Sequence, residues 1–122
     1  MFAALSVDEP FGLVYLEAMA SGIPPIATSS GGPLSFINVD PARPTGWLVQ
    51  PDDLAAATRA LIEAVSHRVE RIERGERAAH FIREHYSWAS SAGAFTRLYD
   101  AVLDESSSTR RSGREPSASG VA

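Results

Sequence analysis

Two glutamates separated by seven residues flank a predicted loop-to-helix transition near the start of the chain. Glu9 precedes a helix predicted over residues 12–21, and Glu17 lies on that helix. The first turn of any helix carries backbone amides without intrahelical partners, and such amides attract anions. Glu17 follows Leu13 by four residues and therefore shares a helix face with those amides. The spacing predicts a phosphate-binding helix start with a carboxylate on either side, which suits a sugar joined to a nucleotide through a diphosphate.

The sequence around this motif explains why the loop becomes a helix there. Pro10 suits a position just before or within the first turn, because its missing N–H costs nothing at that point. Gly12 allows another group to approach the backbone closely. Gly22 and Pro24 then end the helix. Apolar residues recur at helical spacing and predict one buried face, made of Leu13, Val14, Leu16, Ala18 and Ala20.

Residues 9–24, with the sequence EPFGLVYLEAMASGIP, resemble the donor-site signature of retaining GT-B glycosyltransferases. These enzymes form the large group 1 family, which is marked by a glutamate, seven residues and a second glutamate. A lone pair of glutamates would be weak support, but further landmarks follow in order. They are residues 26–28, 31–33, 45–49, 51–53 and 86–88, so that the resemblance covers residues 5–104.

The resemblance implies a role for each polar residue of the motif. It implies that Glu9 is catalytic and contacts hydroxyls of the transferred sugar, while Glu17 binds the ribose hydroxyls of the donor nucleotide. A carboxylate can accept two hydroxyl donors at once. Ser6 is expected to touch the nucleotide edge; the alternative is a loop serine with a structural role only. Without the resemblance, Glu9 and Glu17 would be interpreted as solvated surface acids.

The resemblance also assigns the backbone amides and the type of reaction. It implies that the amides of Phe11 and Gly12 face the sugar and those of Leu13 and Val14 face the diphosphate. Prearranged amides are well suited to stabilise charge on a leaving phosphate. The implied reaction transfers a sugar from a nucleotide-sugar donor to an acceptor with retention. It needs no cofactor and no obligatory metal.

Composition narrows the classes of protein and of partner. The 122 residues suffice for one small domain, with 44% hydrophobic and 21% charged residues. A net charge of −4 gives no reason to expect nucleic acid as a partner. There is no cysteine, and no apolar run approaches the roughly 18 residues of a membrane span. We predict a cytoplasmic location, with peripheral membrane association as the alternative.

Strand and helix patterns alternate along the chain. Strands are predicted over residues 2–5, 23–28 and 47–49, and helices over 12–21, 54–66 and 69–85, with a last helix capped by Ser87. This order predicts an α/β fold, a partial Rossmann-like domain with a short parallel sheet flanked by helices. Pro24 and Pro25 cannot donate to a sheet ladder, so we expect the second strand to be frayed or at an edge.

Several side chains of the later helices have structural interpretations. The histidines (His67, His80 and His85) lack the i, i+4 spacing of paired helical metal ligands, so no metal site is predicted. Arginines alternate with glutamates and predict a solvated, ion-paired face, at Arg71, Arg74 and Arg77. Val69, Ile72, Ala79 and Ile82 are expected to face inward. Trp88 and Tyr99 are expected to be core or docking residues. Gly31 and Gly32 either shape a functional loop or form a plain turn.

The predicted domain organisation has two parts. Residues 1–104 form the nucleotide-sugar-binding part of a glycosyltransferase domain, and residues 105–122, rich in serine and arginine, form a disordered tail. The resemblance implies a further N-terminal domain that holds the acceptor, so we expect the 122 residues alone to be inactive. The alternatives are a non-catalytic nucleotide-sugar-binding module and a protein-interaction module that uses the apolar last helix.

Overall fold

The computed structural model describes residues 1–112, with side chains described through residue 105. The chain divides into two compact units, of which the first comprises Met1–Tyr86 and the second begins at Ser87. The elements in chain order are β1 (Phe2–Ala3), α1 (Leu13–Ala20), β2 (Pro25–Thr28), a 3₁₀ turn (Gly32–Ser35), β3 (Trp47–Val49), α2 (Leu54–Ser66), α3 (Arg68–His85) and α4 (Trp88–Ser112).

The sheet is parallel, with the order β1-β2-β3, so the predicted α/β class is confirmed. The expectation that the second strand lies frayed or at an edge is wrong, because β2 is the central strand. Pro24 precedes the strand, and Pro25 is its first residue. The Pro24 carbonyl accepts the Phe2 N–H at 3.1 Å. Pairing with β3 begins one residue later, at Ile26 opposite Trp47. Proline is tolerated at the first residue of a strand because no ladder donor is required there.

Successive residues of a strand point to opposite faces of a sheet, and β2 separates two cores in this way. Ala27 belongs to a cluster with residues of α1, of α3 and of the segment after the 3₁₀ turn, among them Tyr15, Met19, Phe36 and Ile82. Ile26 belongs to a cluster formed with β3 and α2, which contains Trp47, Val49, Ala57, Ala60 and Ala64. The two helical layers therefore cover both faces of the short sheet.

The buried face of α1 differs from the predicted one. Tyr15, Leu16 and Met19 are buried, whereas Leu13 is 65% and Val14 is 45% exposed. The apolar spacing was compatible with either face, and packing against α3 selects the face with the larger side chains. As a result, the first turn of the helix is left open to solvent on its Leu13 side.

Helix α2 begins as the sequence predicts. The Asp53 carboxylate accepts the Ala56 N–H at 2.8 Å, which caps the helix. The inward face predicted for α3 is confirmed at Ala79 and Ile82. It is wrong at Val69 and Ile72, which are 70% and 47% exposed. The buried residues of α3 begin near its middle, and three of the four are small: Gly75, Ala78, Ala79 and Ile82.

The predicted ion pairing of the arginine face on α3 is confirmed at Arg74 and Arg77, but its solvation is wrong at Arg74. The Arg74 side chain is only 14% exposed and lies over the Trp47 ring, 4.2 Å from the ring centroid. The guanidinium donates to the Gly46 carbonyl at 2.7 Å and pairs with Glu63 and Glu70 at 3.0 and 2.8 Å. Arg74 therefore ties α3 to α2 and to the start of β3.

The second unit consists of α4, whose predicted N-cap is confirmed by the Ser90 N–H donating to Ser87 Oγ at 3.1 Å. The helix continues to Ser112, so residues 105–112 are helical where a disordered tail was predicted. Continuing a formed helix adds one hydrogen bond per residue without a new nucleation cost. The remainder of the predicted tail, residues 113–122, lies outside the described residues.

The apolar side chains of α4 are open to solvent. Trp88 is 92% and Tyr99 is 65% exposed, so neither is a core residue of this chain. Their docking role stays a prediction. Within residues 1–112, no helix combines the length and the apolar character that a membrane-spanning segment requires.

Candidate functional site

The loop from Ala4 to Gly12 brings Glu9 from the carboxyl end of β1 to the start of α1. In open parallel sheets, ligands bind at the carboxyl ends of the strands. Glu9 is half-buried in this loop, and Ser6 is exposed. The structure thus places both at the sheet edge where a ligand is expected.

The next loop, after β2, packs directly against the Glu9 loop. The Gly32 N–H donates to the Glu9 carbonyl at 2.7 Å. A Cβ atom at Gly31 would lie 2.2 Å from that same carbonyl oxygen, and one at Gly32 would lie 2.1 Å from the Phe11 carbonyl oxygen. Gly31 also has a left-handed φ of 64°. Glycine is required at both positions because only glycine permits this approach. A functional role for the loop, as opposed to a plain turn, stays a prediction.

Polar contacts join the same two loops at Asp8 and Ser30. The Asp8 N–H donates to Ser30 Oγ at 3.1 Å, and the Ser30 hydroxyl donates to Asp8 Oδ1 at 2.7 Å. Asp8 has a φ of 57°, a conformation that aspartate tolerates because its short side chain can bond locally. The Thr28 hydroxyl donates to the Ser6 carbonyl, which anchors the beginning of the loop. Sequence reasoning missed Asp8, Thr28 and Ser30, and their spacing carries no signal for these pairs.

Helix α1 begins without a side-chain cap. Gly12 is the N-cap residue with a φ of 86°, and no side chain bonds to the free amides of the first turn. The Tyr15 N–H donates to the Gly12 carbonyl at 3.0 Å, which closes the first turn. Because Leu13 and Val14 are exposed, the first turn of the helix is open to solvent. An uncapped, open helix start can accept an anion.

Glu17 lies on the exposed face of α1, one turn after Leu13. The buried residues Tyr15, Leu16 and Met19 occupy the other face. The structure therefore brings together the helix start and Glu17 on one open surface, as the spacing predicts, with Glu9 arriving from the preceding loop.

Tyr15 is a part of this region that sequence reasoning did not single out. Its side chain is 1% exposed, and its hydroxyl donates to the Ala4 carbonyl at 2.8 Å. Burial raises the pKa of Tyr15, the charge of Glu9 raises it further, and a hydrogen bond with Ser6 lowers it. A tyrosine within an aliphatic run was the available signal, since a buried hydroxyl requires a partner.

Two cavities lie close to the sheet, and neither is lined by Glu9 or Glu17. One of about 210 Å³ opens at the carboxyl ends of the strands, between Val7, Thr28, Val49 and Gln50. The other, of about 480 Å³, lies beside the loop before β3 and is lined by Arg77, His80, Phe81 and Glu84 among others. Within the described residues, no three potential metal ligands converge on one point.

Comparison with known proteins identifies the family. The family model described as glycosyl transferases group 1 matches residues 1–87. The chain belongs to the group 1 glycosyltransferase family. The match contains every sequence-predicted site residue and ends at the boundary between the two structural units. The resemblance seen in the motif is thereby confirmed.

Individual members of the group 1 glycosyltransferase family extend this result. The chain is 38% identical over 105 residues to a D-inositol 3-phosphate glycosyltransferase of Corynebacterium glutamicum, covering 84% of this chain and 24% of that protein. It is 43% identical over 68 residues to a probable sucrose-phosphate synthase of rice, covering 56% of this chain and 6% of that protein. The chain thus spans a quarter or less of the length of these two relatives.

A solved structure supports the fold. The sucrose-phosphate synthase of Thermosynechococcus elongatus superposes with a TM-score of 0.74 at 29% sequence identity, over 84% of this chain and 25% of that one. The predicted assignment to a GT-B glycosyltransferase is confirmed by the family match together with this superposition.

Proposed function

We propose that the first unit is the donor-binding part of a retaining glycosyltransferase that uses a nucleotide sugar. The observation that carries the proposal is the open, uncapped start of α1, which has Glu9 before it and Glu17 on its exposed face. Membership of the group 1 family makes sugar transfer the activity to test first.

In this proposal the amides of the first turn of α1 bind the donor diphosphate. Leu13 and Val14 supply the diphosphate-facing amides, and Phe11 and Gly12 supply those that face the sugar. Their role is to stabilise negative charge as the phosphate leaves, which prearranged donors do efficiently. The proposed reaction has no obligatory metal and no cofactor, as the resemblance to the group 1 family implies.

The two carboxylates bind the remaining parts of the donor, which are the ribose and the transferred sugar. Glu17 accepts hydrogen bonds from the ribose hydroxyls, and Glu9 accepts them from the transferred sugar and acts as the catalytic residue. Support comes from the different surroundings of these residues. Glu9 is half-buried in a loop whose backbone packs against Gly31 and Gly32, whereas Glu17 is exposed on the surface of α1. Ser6 is proposed to lie at the nucleotide edge, since it is exposed at the same end of the sheet.

Calorimetric titration with UDP, GDP and ADP, and with their glucose conjugates, tests donor binding by the chain. We expect saturable binding to one base and its loss in Glu17→Ala. Glu76→Ala is the matched control, because Glu76 is an exposed glutamate on α3, outside the motif. Binding that survives Glu17→Ala would contradict the proposed role of Glu17.

We further propose that the 122 residues alone do not transfer sugar and require a partner domain that holds the acceptor. Support comes from the share of the relatives that this chain spans, which is 24% for the inositol 3-phosphate glycosyltransferase. Sugar transfer by the purified chain, measured with a radiolabelled donor and added acceptors, would refute this part of the proposal.

The exposed face of α4 favours a second candidate, a protein-interaction module without a ligand. Trp88, Phe95 and Tyr99 are 92%, 60% and 65% exposed, and exposed aromatic residues are common at protein interfaces. Glu17→Ala distinguishes the two candidates. It abolishes nucleotide binding if the donor site is real, whereas an interaction module shows no nucleotide binding before or after the substitution.

A further inference from the structure

We propose that Tyr15 is the positioning residue that fixes the Glu9 loop over the start of α1, and that its hydroxyl sets the preference for a nucleotide sugar over the free nucleotide. The proposal rests on the donor-site function proposed above. It adds a residue that contacts neither the sugar nor the diphosphate and acts through Glu9.

The Tyr15 side chain fills the space that the loop encloses. Its hydroxyl donates to the Ala4 carbonyl at 2.8 Å, where the loop leaves β1. At the other end of the loop, a Cβ atom at Gly12 would lie 2.6 Å from the Tyr15 ring and 3.2 Å from Glu9 Cγ. The ring therefore lies beside the end of the loop, close to the Glu9 stem, while the hydroxyl holds the beginning of the loop.

The ring itself is fixed from the other side. Phe2 packs edge-on against it with a centroid separation of 5.5 Å, and Phe36 lies at 6.3 Å. With the side chain 1% exposed, the ring has little freedom to move. The hydroxyl is thus a fixed donor on a rigid support, so its removal frees the Ala4 carbonyl and leaves the ring in place.

This arrangement separates the two ends of the donor. Glu17 lies on the helix face opposite the buried Tyr15 and does not depend on the hydroxyl. Glu9 does depend on it, because Glu9 is carried by the tethered loop. Loss of the hydroxyl should therefore weaken the binding of the sugar through Glu9 more than the binding of the nucleotide, since Glu17 stays in place and only Ser6 moves with the loop.

The first experiment measures amide hydrogen exchange in the chain without any ligand. In Tyr15→Phe we expect exchange in residues 5–12 to accelerate roughly threefold to tenfold, as loss of one hydrogen bond allows. Exchange in α2 and α3 should remain as in the wild type. Tyr86→Phe is the control, since it removes a hydroxyl from another ring that packs on Phe36. Uniform acceleration in all elements, or no change in the loop, would overturn the positioning role.

The second experiment compares the affinities of Tyr15→Phe for UDP, GDP and ADP with those for their glucose conjugates. The ratio of sugar-nucleotide to nucleotide affinity should fall about threefold to tenfold, again the scale of one hydrogen bond. An unchanged ratio would overturn the specificity claim. If the wild-type chain binds none of these probes, the proposed donor function fails for this chain, and hydrogen exchange alone decides whether Tyr15 positions the loop.

Discussion

Gly32→Ala should destabilise the first unit because the loop that carries Glu9 occupies the space for a side chain. The new Cβ would lie 2.1, 2.5 and 2.6 Å from the carbonyl oxygen, carbonyl carbon and Cα of Phe11. Ordinary non-bonded contacts require about 3.5 Å, so one backbone segment must move by more than about 1 Å. Overpacking of this kind costs about 1–3 kcal/mol. Gly32 has no left-handed φ, so the cost comes from the collision alone.

Urea unfolding followed by tryptophan fluorescence measures this cost. Trp47 is 7% exposed and Trp88 is 92% exposed, so the change in emission on unfolding reports the first unit. Gly93→Ala is the control, because its Cβ would meet only the flexible end of Arg97 at 3.4 Å. We expect that variant to unfold at the wild-type urea concentration, because Gly93 lies on α4 in the second unit and Trp47 reports the first. A Gly32→Ala protein within about 0.5 kcal/mol of the wild type would refute the argument.

Three further predictions concern the residues that hold the first unit together. Arg74→Met should lower the free energy of unfolding by about 2–3 kcal/mol, because Glu63, Glu70 and the Gly46 carbonyl lose a charged donor. Urea unfolding measures this loss. Arg59→Met is the control, because Arg59 is exposed. Asp53→Ala should cost about 1 kcal/mol and Asp53→Asn much less, since only the alanine variant lacks a capping oxygen for the Ala56 N–H; equal losses in thermal unfolding would contradict this. Because the pKa of Tyr15 is raised, the folded chain keeps a proton that the unfolded chain loses near pH 10.0. The contribution of this group to the free energy of unfolding is therefore complete below that pH, and it falls as the pH rises through the folded pKa. The urea midpoint should therefore decline less steeply between about pH 9 and 11 in Tyr15→Phe, and parallel declines would show that Tyr15 is not the group responsible.

The sequence predicted those elements whose signals are local. Strand β3 and helix α2 have the predicted bounds, because a short apolar run and the Asp53 cap act within a few residues. The position of Glu9 before α1 and of Glu17 on it was likewise predicted, since proline and glycine mark the start and the end of that helix. The exposed side of α1 and the packing of Arg74 were not, because periodicity defines a face without saying which neighbour covers it. The prediction that β2 lies frayed or at an edge was wrong for a related reason. The two prolines lack N–H donors, but their carbonyls remain free to accept hydrogen bonds from a neighbouring strand.

The restraints on Glu9 were the least predictable part of the candidate site, and they determine how it can vary. They come from residues distant in sequence: Gly31 and Gly32 pack on the backbone of the loop, and Tyr15 holds its beginning. The glycine contacts tolerate no side chain, whereas the exposed bonds between Asp8 and Ser30 can be replaced by water. Glu17 needs none of this support, because an exposed helix residue is placed by the helix alone. Substitutions in the loop after β2 should therefore act on the sugar end of the proposed donor site, through Glu9, before they act on its nucleotide end.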